Sequence, residues 1–129
     1  MKDKIKILVV EDNLLNQKLA SFMLNDWGFK YTICSNGKLA VETMQSNTYD
    51  LILMDIQMPE LNGHETTEYI RKTLKLELPI IAMTAHAMPG EKKKCLSIGM
   101  TDYISKPINE TELYTMITNY LFSNSIKTE

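Results

Sequence analysis

Apolar residues along this chain come in short unbroken runs, which alternate with stretches where they recur every third or fourth position. A short continuous run suits a strand covered on both faces, and the 3.6-residue period suits an amphipathic helix. A first strand is predicted near Ile5 to Val10. The helix after it carries Leu15, Leu19, Phe22 and Met23 on one face, and Gly28 stops it. Tyr31 to Cys34 read as a short second strand, and Asn36-Gly37 starts a helix that turns Ala40, Val41 and Met44 inward. Tyr49 to Met54 form a third strand, and the loop through Met58-Pro59 and Gly63 leads to a helix ending near Leu74. Pro79 opens a fourth strand that runs to Met83. A helix from Pro89 to Ile98 follows, ended by Gly99, with Lys92-Lys93-Lys94 as a solvated face. Asp102 to Ser105 form the fifth strand. The last helix has the clearest period, with Leu113, Met116, Ile117, Tyr120 and Leu121 in one stripe. Asn109 and Glu112 supply its N-cap and capping-box partner. Residues 1–122 read as one domain and 123–129 as a polar, frayed C-terminal tail or linker stub.

Strands alternating with helices from one end to the other predict an α/β fold. The expected form is a three-layer α/β/α sandwich with a five-stranded parallel sheet and five helices. Right-handed crossovers prune the topologies, but the pattern alone leaves the strand order open.

Composition narrows the partners. At 129 residues the chain suits one domain, and 44% hydrophobic with 23% charged residues is ordinary for a globular protein. A formal charge of −2 provides no basic field, so direct nucleic-acid binding is not expected. No apolar stretch approaches the roughly 20 residues that span a bilayer, so no direct membrane insertion is expected. The charged start Met1-Lys2-Asp3-Lys4 runs straight into a strand and does not read as a secretory signal. Cys34 and Cys95 lack metal-ligand spacing and read as buried, reduced thiols of a cytoplasmic protein.

Candidate chemistry lies where the strands end. In one parallel sheet, Glu11, Asp12, Asp55, Thr84 and Lys106 would gather at the carboxyl edge, where open α/β sheets place their ligands. Singly, each is unremarkable: an acidic turn, a strand-end aspartate, a helix cap, a surface lysine. Together, three carboxylates, a hydroxyl and an ammonium suit Mg²⁺ and a phosphoryl group. Asp55 can attack phosphorus as a carboxylate nucleophile, and Glu11 and Asp12 offer hard oxygen ligands. Lys106 and Thr84 can donate to phosphoryl oxygens, and the small Ala85 leaves room beside that hydroxyl.

These residues closely resemble the receiver domain of two-component response regulators over about Ile5 to Leu121. The matching segments are Val9-Val10-Glu11-Asp12-Asn13, Leu53-Met54-Asp55-Ile56-Gln57-Met58-Pro59 with Gly63, Ile81-Ala82-Met83-Thr84-Ala85, and Asp102-Tyr103-Ile104-Ser105-Lys106-Pro107. The resemblance implies the flavodoxin-like strand order 2-1-3-4-5 and a phosphorylation site at Asp55. It implies Mg²⁺ bound by Glu11, Asp12, Asp55 and the backbone carbonyl of Gln57, and phosphoryl contacts from Thr84, Ala85 and Lys106. It further implies a switch through Thr84 and Tyr103 and a cis bond between Lys106 and Pro107. Glu11-Asp12-Asn13 with Asn16, Gln57-Met58-Pro59 and Ala82-Met83-Thr84-Ala85 look like receivers of hybrid sensor histidine kinases. Such a receiver takes a phosphoryl group from a phosphohistidine and relays it to a histidine phosphotransfer domain. The expected partners are therefore a histidine kinase, a phosphotransfer domain or both, with the receiver itself a monomer or weak dimer. A stand-alone response regulator is the alternative, to which the initiator-like Met1 points.

Two other readings use similar residues. A haloacid-dehalogenase-type phosphatase would need an acid two positions after its nucleophile, where this chain has Gln57, and a cap domain that 129 residues do not accommodate. A nucleotide-binding module would need a glycine-rich loop after the first strand, where Glu11-Asp12-Asn13 stands instead. A pseudo-receiver would be expected to lack Asp55 or Lys106. The receiver reading makes the chain a phospho-acceptor signalling domain rather than an enzyme.

Overall fold

The computed structural model describes residues 4–58, 62–85 and 90–127, with backbone alone for 123–127. Pro59 and Pro89, used above as loop and helix markers, lie outside the described residues. Five strands, β1 (Lys6–Val10), β2 (Lys30–Cys34), β3 (Leu51–Asp55), β4 (Ile80–Thr84) and β5 (Asp102–Ser105), pair in parallel in the order β2-β1-β3-β4-β5. Each is followed by a helix: α1 (Leu14–Trp27), α2 (Gly37–Ser46), α3 (Gly63–Glu68), α4 (Glu91–Ile98) and α5 (Glu110–Lys127). The three layers and the strand order are those expected from the sequence and its resemblance.

Alternation along the strands divides the core in two. Ile7, Val9, Leu51, Leu53, Ile81 and Met83 face one layer, where Ala20, Met23 and Leu24 of α1 and Leu113 and Ile117 of α5 close over them. Leu8, Val10, Ile52, Met54, Ile80 and Ala82 face the other, packed by Ala40 and Met44 of α2 and Cys95 of α4. All of β3 is buried, which explains why it reads as an unbroken apolar run.

Asparagine side chains cap four of the helices, and two of them, Asn36 and Asn109, stand where the sequence marks a helix start; α4 begins at Glu91 after Gly90 with no side-chain cap. Asn13 accepts from the Asn16 amide at 3.0 Å, Asn36 from the Leu39 amide at 2.8 Å, and Asn109 from the Glu112 amide at 2.9 Å. At α3, Asn62 and Glu65 form a reciprocal capping box. α3 widens into a π-helical turn over Tyr69–Thr73, and Arg71 uses this turn to reach across the fold. Its guanidinium donates to the carbonyls of Gly99, Leu76 and Leu78 at 2.8–2.9 Å and to the Thr101 hydroxyl at 3.3 Å.

Two expectations change. Leu15, Leu19 and Phe22 do not share a buried face with Met23: they are 65%, 52% and 67% exposed, and Met23 is buried. Small Ala20 lets α1 sit close on the sheet through Ala20, Met23 and Leu24, so the neighbouring apolar arc is left uncovered. The segment read as a frayed tail is helical to Lys127. No Gly or Pro stands between Glu110 and Lys127 to break the helix, so polarity alone does not end it.

Candidate phosphoryl-acceptor site

The parallel register brings the strand ends level. Val10 pairs with Met54, Asp55 with Met83, and Thr84 with Ser105, so the residues just beyond converge on one edge. Glu11 and Asp55 are almost fully buried, and Thr84 is fully buried. Asp12 is exposed beside them. Carboxylate oxygens of Glu11, Asp12 and Asp55 all lie within 4.8 Å of one another. Oxygens in an octahedral shell of about 2.0–2.1 Å radius are about 3–4 Å apart, so a single Mg²⁺ would need to draw this set together by less than about 2 Å.

Lys106 reaches in from β5. Its ammonium lies 3.0 Å from Glu11 Oε1 and 3.4 Å from Asp55 Oδ2, giving both buried acids one shared counter-charge. Backbone amides secure the remaining oxygens. The Asn13 amide donates to Glu11 Oε2 at 3.1 Å, and the Gln57 amide donates to Asp55 Oδ1 at 3.1 Å. The Lys106 amide donates to the Thr84 carbonyl at 2.7 Å, tying the lysine's strand to the hydroxyl's. The Lys106–Pro107 bond is cis.

Burial raises the Asp55 pKa from 3.8 to about 7, with the Glu11 charge adding to the rise and Lys106 and the Gln57 amide opposing it. The carboxyl group therefore sits in a pocket short of positive charge, where an added cation would favour its ionised form. Gly63 is needed below it: a Cβ there would run into the Asp55 carbonyl and come within 2.8 Å of Ile56 Cα. Gly63 thus lets α3 begin directly against the strand that carries Asp55.

Of the other residues named from the sequence, Gln57 and Ala85 are exposed at the rim. Tyr103 is half-buried and leans on the core layer of α2 and α4 rather than standing free in solvent. Gln17 was missed: its side-chain amide donates to the Glu11 carbonyl at 2.6 Å and fixes the turn that presents both acids. Nothing in the sequence marks it, because its role depends on the turn from β1 into α1.

The chain matches the response regulator receiver domain family over residues 7–118. Hybrid signal transduction histidine kinase I of Dictyostelium discoideum is 48% identical over 124 residues, covering 90% of this chain and 7% of that protein. Signal transduction histidine-protein kinase BarA of Escherichia coli is 42% identical over 115 residues, covering 88% of this chain and 12% of its own length. The chain thus spans a small part of these relatives. Among solved structures, the receiver domain of sensor histidine kinase PA1611 of Pseudomonas aeruginosa, with magnesium coordinated in its active-site cleft, superposes with TM-score 0.82 at 38% identity. That match covers 91% of this chain and 97% of that one. A chain from the co-crystal of the Saccharomyces cerevisiae phosphotransfer protein Ypd1 with the receiver domain of Ssk1 gives TM-score 0.86 at 33% identity, covering 92% and 89%.

Proposed function

This chain belongs to the response regulator receiver family of two-component signalling, and from that premise we propose that Asp55 accepts a phosphoryl group from a phosphohistidine. The observation that carries the proposal is the cluster of Glu11, Asp12 and Asp55 with Lys106 set between two of the acids. Bound Mg²⁺ would supply charge neutralisation at the transferring group, held by Glu11, Asp12, Asp55 and the Gln57 carbonyl. Asp55 provides the attacking oxygen, and the acyl phosphate forms as the bond from phosphorus to the donor imidazole breaks. Lys106 and the Thr84 hydroxyl donate to phosphoryl oxygens, beside the small Ala85. A phosphoryl group brings roughly −1.5 to −2 of charge. In this reading Thr84 moves toward that charge and Tyr103 turns with it, which biases the surface of α4, β5 and α5.

The donor and acceptor partners are a histidine kinase and a histidine phosphotransfer domain, and the parent is a hybrid sensor kinase. Like the Dictyostelium and Escherichia relatives, such a parent would carry the receiver as one segment of a long chain. The exposed arc of Leu14, Leu15, Leu19 and Phe22 supports a docking face for the phosphotransfer domain, because α1 starts at the acid rim itself. A cavity of about 140 Å³ continues this arc inward, lined by Leu19, Phe22, Met23, Pro107 and Ile108 and reaching Glu11 and Lys106. An apolar partner side chain seated there would hold the phosphohistidine over Asp55. The domain itself is a phospho-acceptor and turns over no substrate; it acts in the cytoplasm as a monomer or weak dimer.

A small-molecule phosphodonor with Mg²⁺ is expected to add one phosphoryl mass, mapped to Asp55. Asp55→Asn keeps the shape and removes the nucleophile. Labelling of that variant at the wild-type rate would overturn the assignment.

A further inference from the structure

A second convergence of ligating side chains lies away from the acid rim, between α3 and α4. His64 is in the first turn of α3, and Glu91 and Cys95 sit one turn apart on α4. Cys95 Sγ is 3.9 Å from His64 Nε2 and 3.7 Å from Glu91 Oε1, and His64 Nε2 is 3.6 Å from Glu91 Oε1. The His64–Glu91 spacing exceeds a good nitrogen–oxygen hydrogen bond, and a thiol bonds weakly at such distances. The Cys95 thiol donates to Glu91 Oε1 over that long sulfur distance and His64 pairs loosely with Glu91, so long, weak contacts hold the three ligand atoms together.

That spacing suits a metal ion. A tetrahedral ion with bonds of about 2.0–2.3 Å to nitrogen, oxygen and sulfur sets its ligands about 3.3–3.6 Å apart. Each edge of the observed triangle needs to contract by only a few tenths of an ångström. The donor set of thiolate, imidazole and carboxylate matches Zn²⁺ and is too soft for Mg²⁺. Cys95 is fully buried, and the His64 and Glu91 side chains keep 16% and 20% exposure, which leaves an approach from solvent. Around the triangle, Glu68 adds negative charge near His64 and Lys94 adds a positive one.

We propose that His64 Nε2, Glu91 Oε1 and Cys95 Sγ bind one Zn²⁺, which clamps the start of α3 to the start of α4. On binding, the Cys95 S–H bond breaks, its proton passes to the buffer and a Zn–S bond forms; water completes the tetrahedron. α3 follows the strand that carries Asp55, and α4 follows the strand that carries Thr84, so the clamp fixes the spacing of two helices that lead off the phosphoryl-acceptor rim.

Co²⁺ titrated into the tag-free chain at saturating Mg²⁺ is the direct test. One equivalent is expected to produce a thiolate-to-cobalt charge-transfer band that Zn²⁺ displaces. The band should vanish in Cys95→Ser, and affinity should fall at least about tenfold in His64→Gln and in Glu91→Gln. It should persist in Cys34→Ser and in Asp12→Ala, which separates this site from the other thiol and from the acid rim. Because Cys95 is a core residue whose replacement can unfold the chain, X-ray absorption of the Zn²⁺-loaded wild type is the companion measurement, with one sulfur among nitrogen and oxygen scatterers expected. No sulfur scatterer, a band that survives in Cys95→Ser, or unchanged affinity in both glutamine variants would overturn the proposal.

Discussion

Two neighbouring regions break the ordinary rule of polar outside and apolar inside, in opposite directions. At the rim, Glu11 and Asp55 are buried acids, 1% and 2% exposed. A few residues further on, Leu14, Leu15, Leu19 and Phe22 are apolar side chains standing 52–71% in water. Buried charge and exposed apolar surface are the informative departures in a folded chain. Among the described residues, the first has Lys106 as its one paired ammonium and the second has no cover. In the proposed function each is completed by something arriving from outside: a cation with a phosphoryl group at the rim, a partner surface at α1. They differ in what the isolated fold must bear. The rim is under electrostatic load in the free protein, whereas the α1 arc costs the free fold little.

That asymmetry can be broken at its heaviest point first. Lys106→Met keeps an apolar stem and removes the one ammonium between Glu11 and Asp55. It is expected to destabilise the chain by about 3 kcal/mol in chelator at pH 8, with Mg²⁺ returning much of the loss. Urea unfolding with and without Mg²⁺ measures both effects; an unchanged midpoint in chelator would show that the acids need no counter-charge.

A smaller effect follows from the Asp55 carboxyl group, whose pKa rises from 3.8 to about 7 on folding. The folded chain holds a proton that the unfolded chain releases across that window. The associated stability is present below pH 3.8 and lost as pH rises through about 7. Asp55→Asn does not titrate. In chelator it should equal the wild type in acid and exceed it by on the order of 2 kcal/mol at pH 8. A difference independent of pH would mean that shape, not charge, separates the two proteins.

The smallest change in stability is expected on α1. Leu19→Ser combined with Phe22→Ser should shift unfolding by no more than about 0.5 kcal/mol, because those side chains already face water. The same variant should slow phosphoryl transfer from a phosphotransfer domain about tenfold and leave labelling by a small phosphodonor unchanged. A stability loss like that of a core truncation would place this arc in the core and remove the contrast with the rim.

Much of the molecule can be read from the chain before folding. The strands announce themselves because both faces of the sheet are covered, and Asn36 and Asn109 announce two of the helix starts. Glu11, Asp12, Asp55, Thr84 and Lys106 follow, since each ends a strand or comes within two residues of its end. What periodicity could not reveal is which arc of α1 meets the sheet. Leu15, Leu19 and Phe22 form one apolar stripe and Ala20, Met23 and Leu24 another, and only packing chooses between them. The His64, Glu91 and Cys95 cluster is invisible in spacing, since its members come from two helices brought together by the sheet order. The helical run to Lys127 leaves no mark in the apolar pattern, because polar residues continue a helix where no Gly or Pro stands to break it.

Arg71 gives the fold a fixed end. Its four hydrogen bonds bind the π turn, the lead-in to β4 and the turn between α4 and β5, all at the amino edge of the sheet. A Cβ on Gly99 would sit 2.9 Å from Arg71 Cγ, so the guanidinium stem fills the room that a side chain would take. In mechanical terms α4 is anchored at its Gly99 end, where one guanidinium ties three segments together. A load on that end is shared among three carbonyls and one hydroxyl, so no single bond has to carry it.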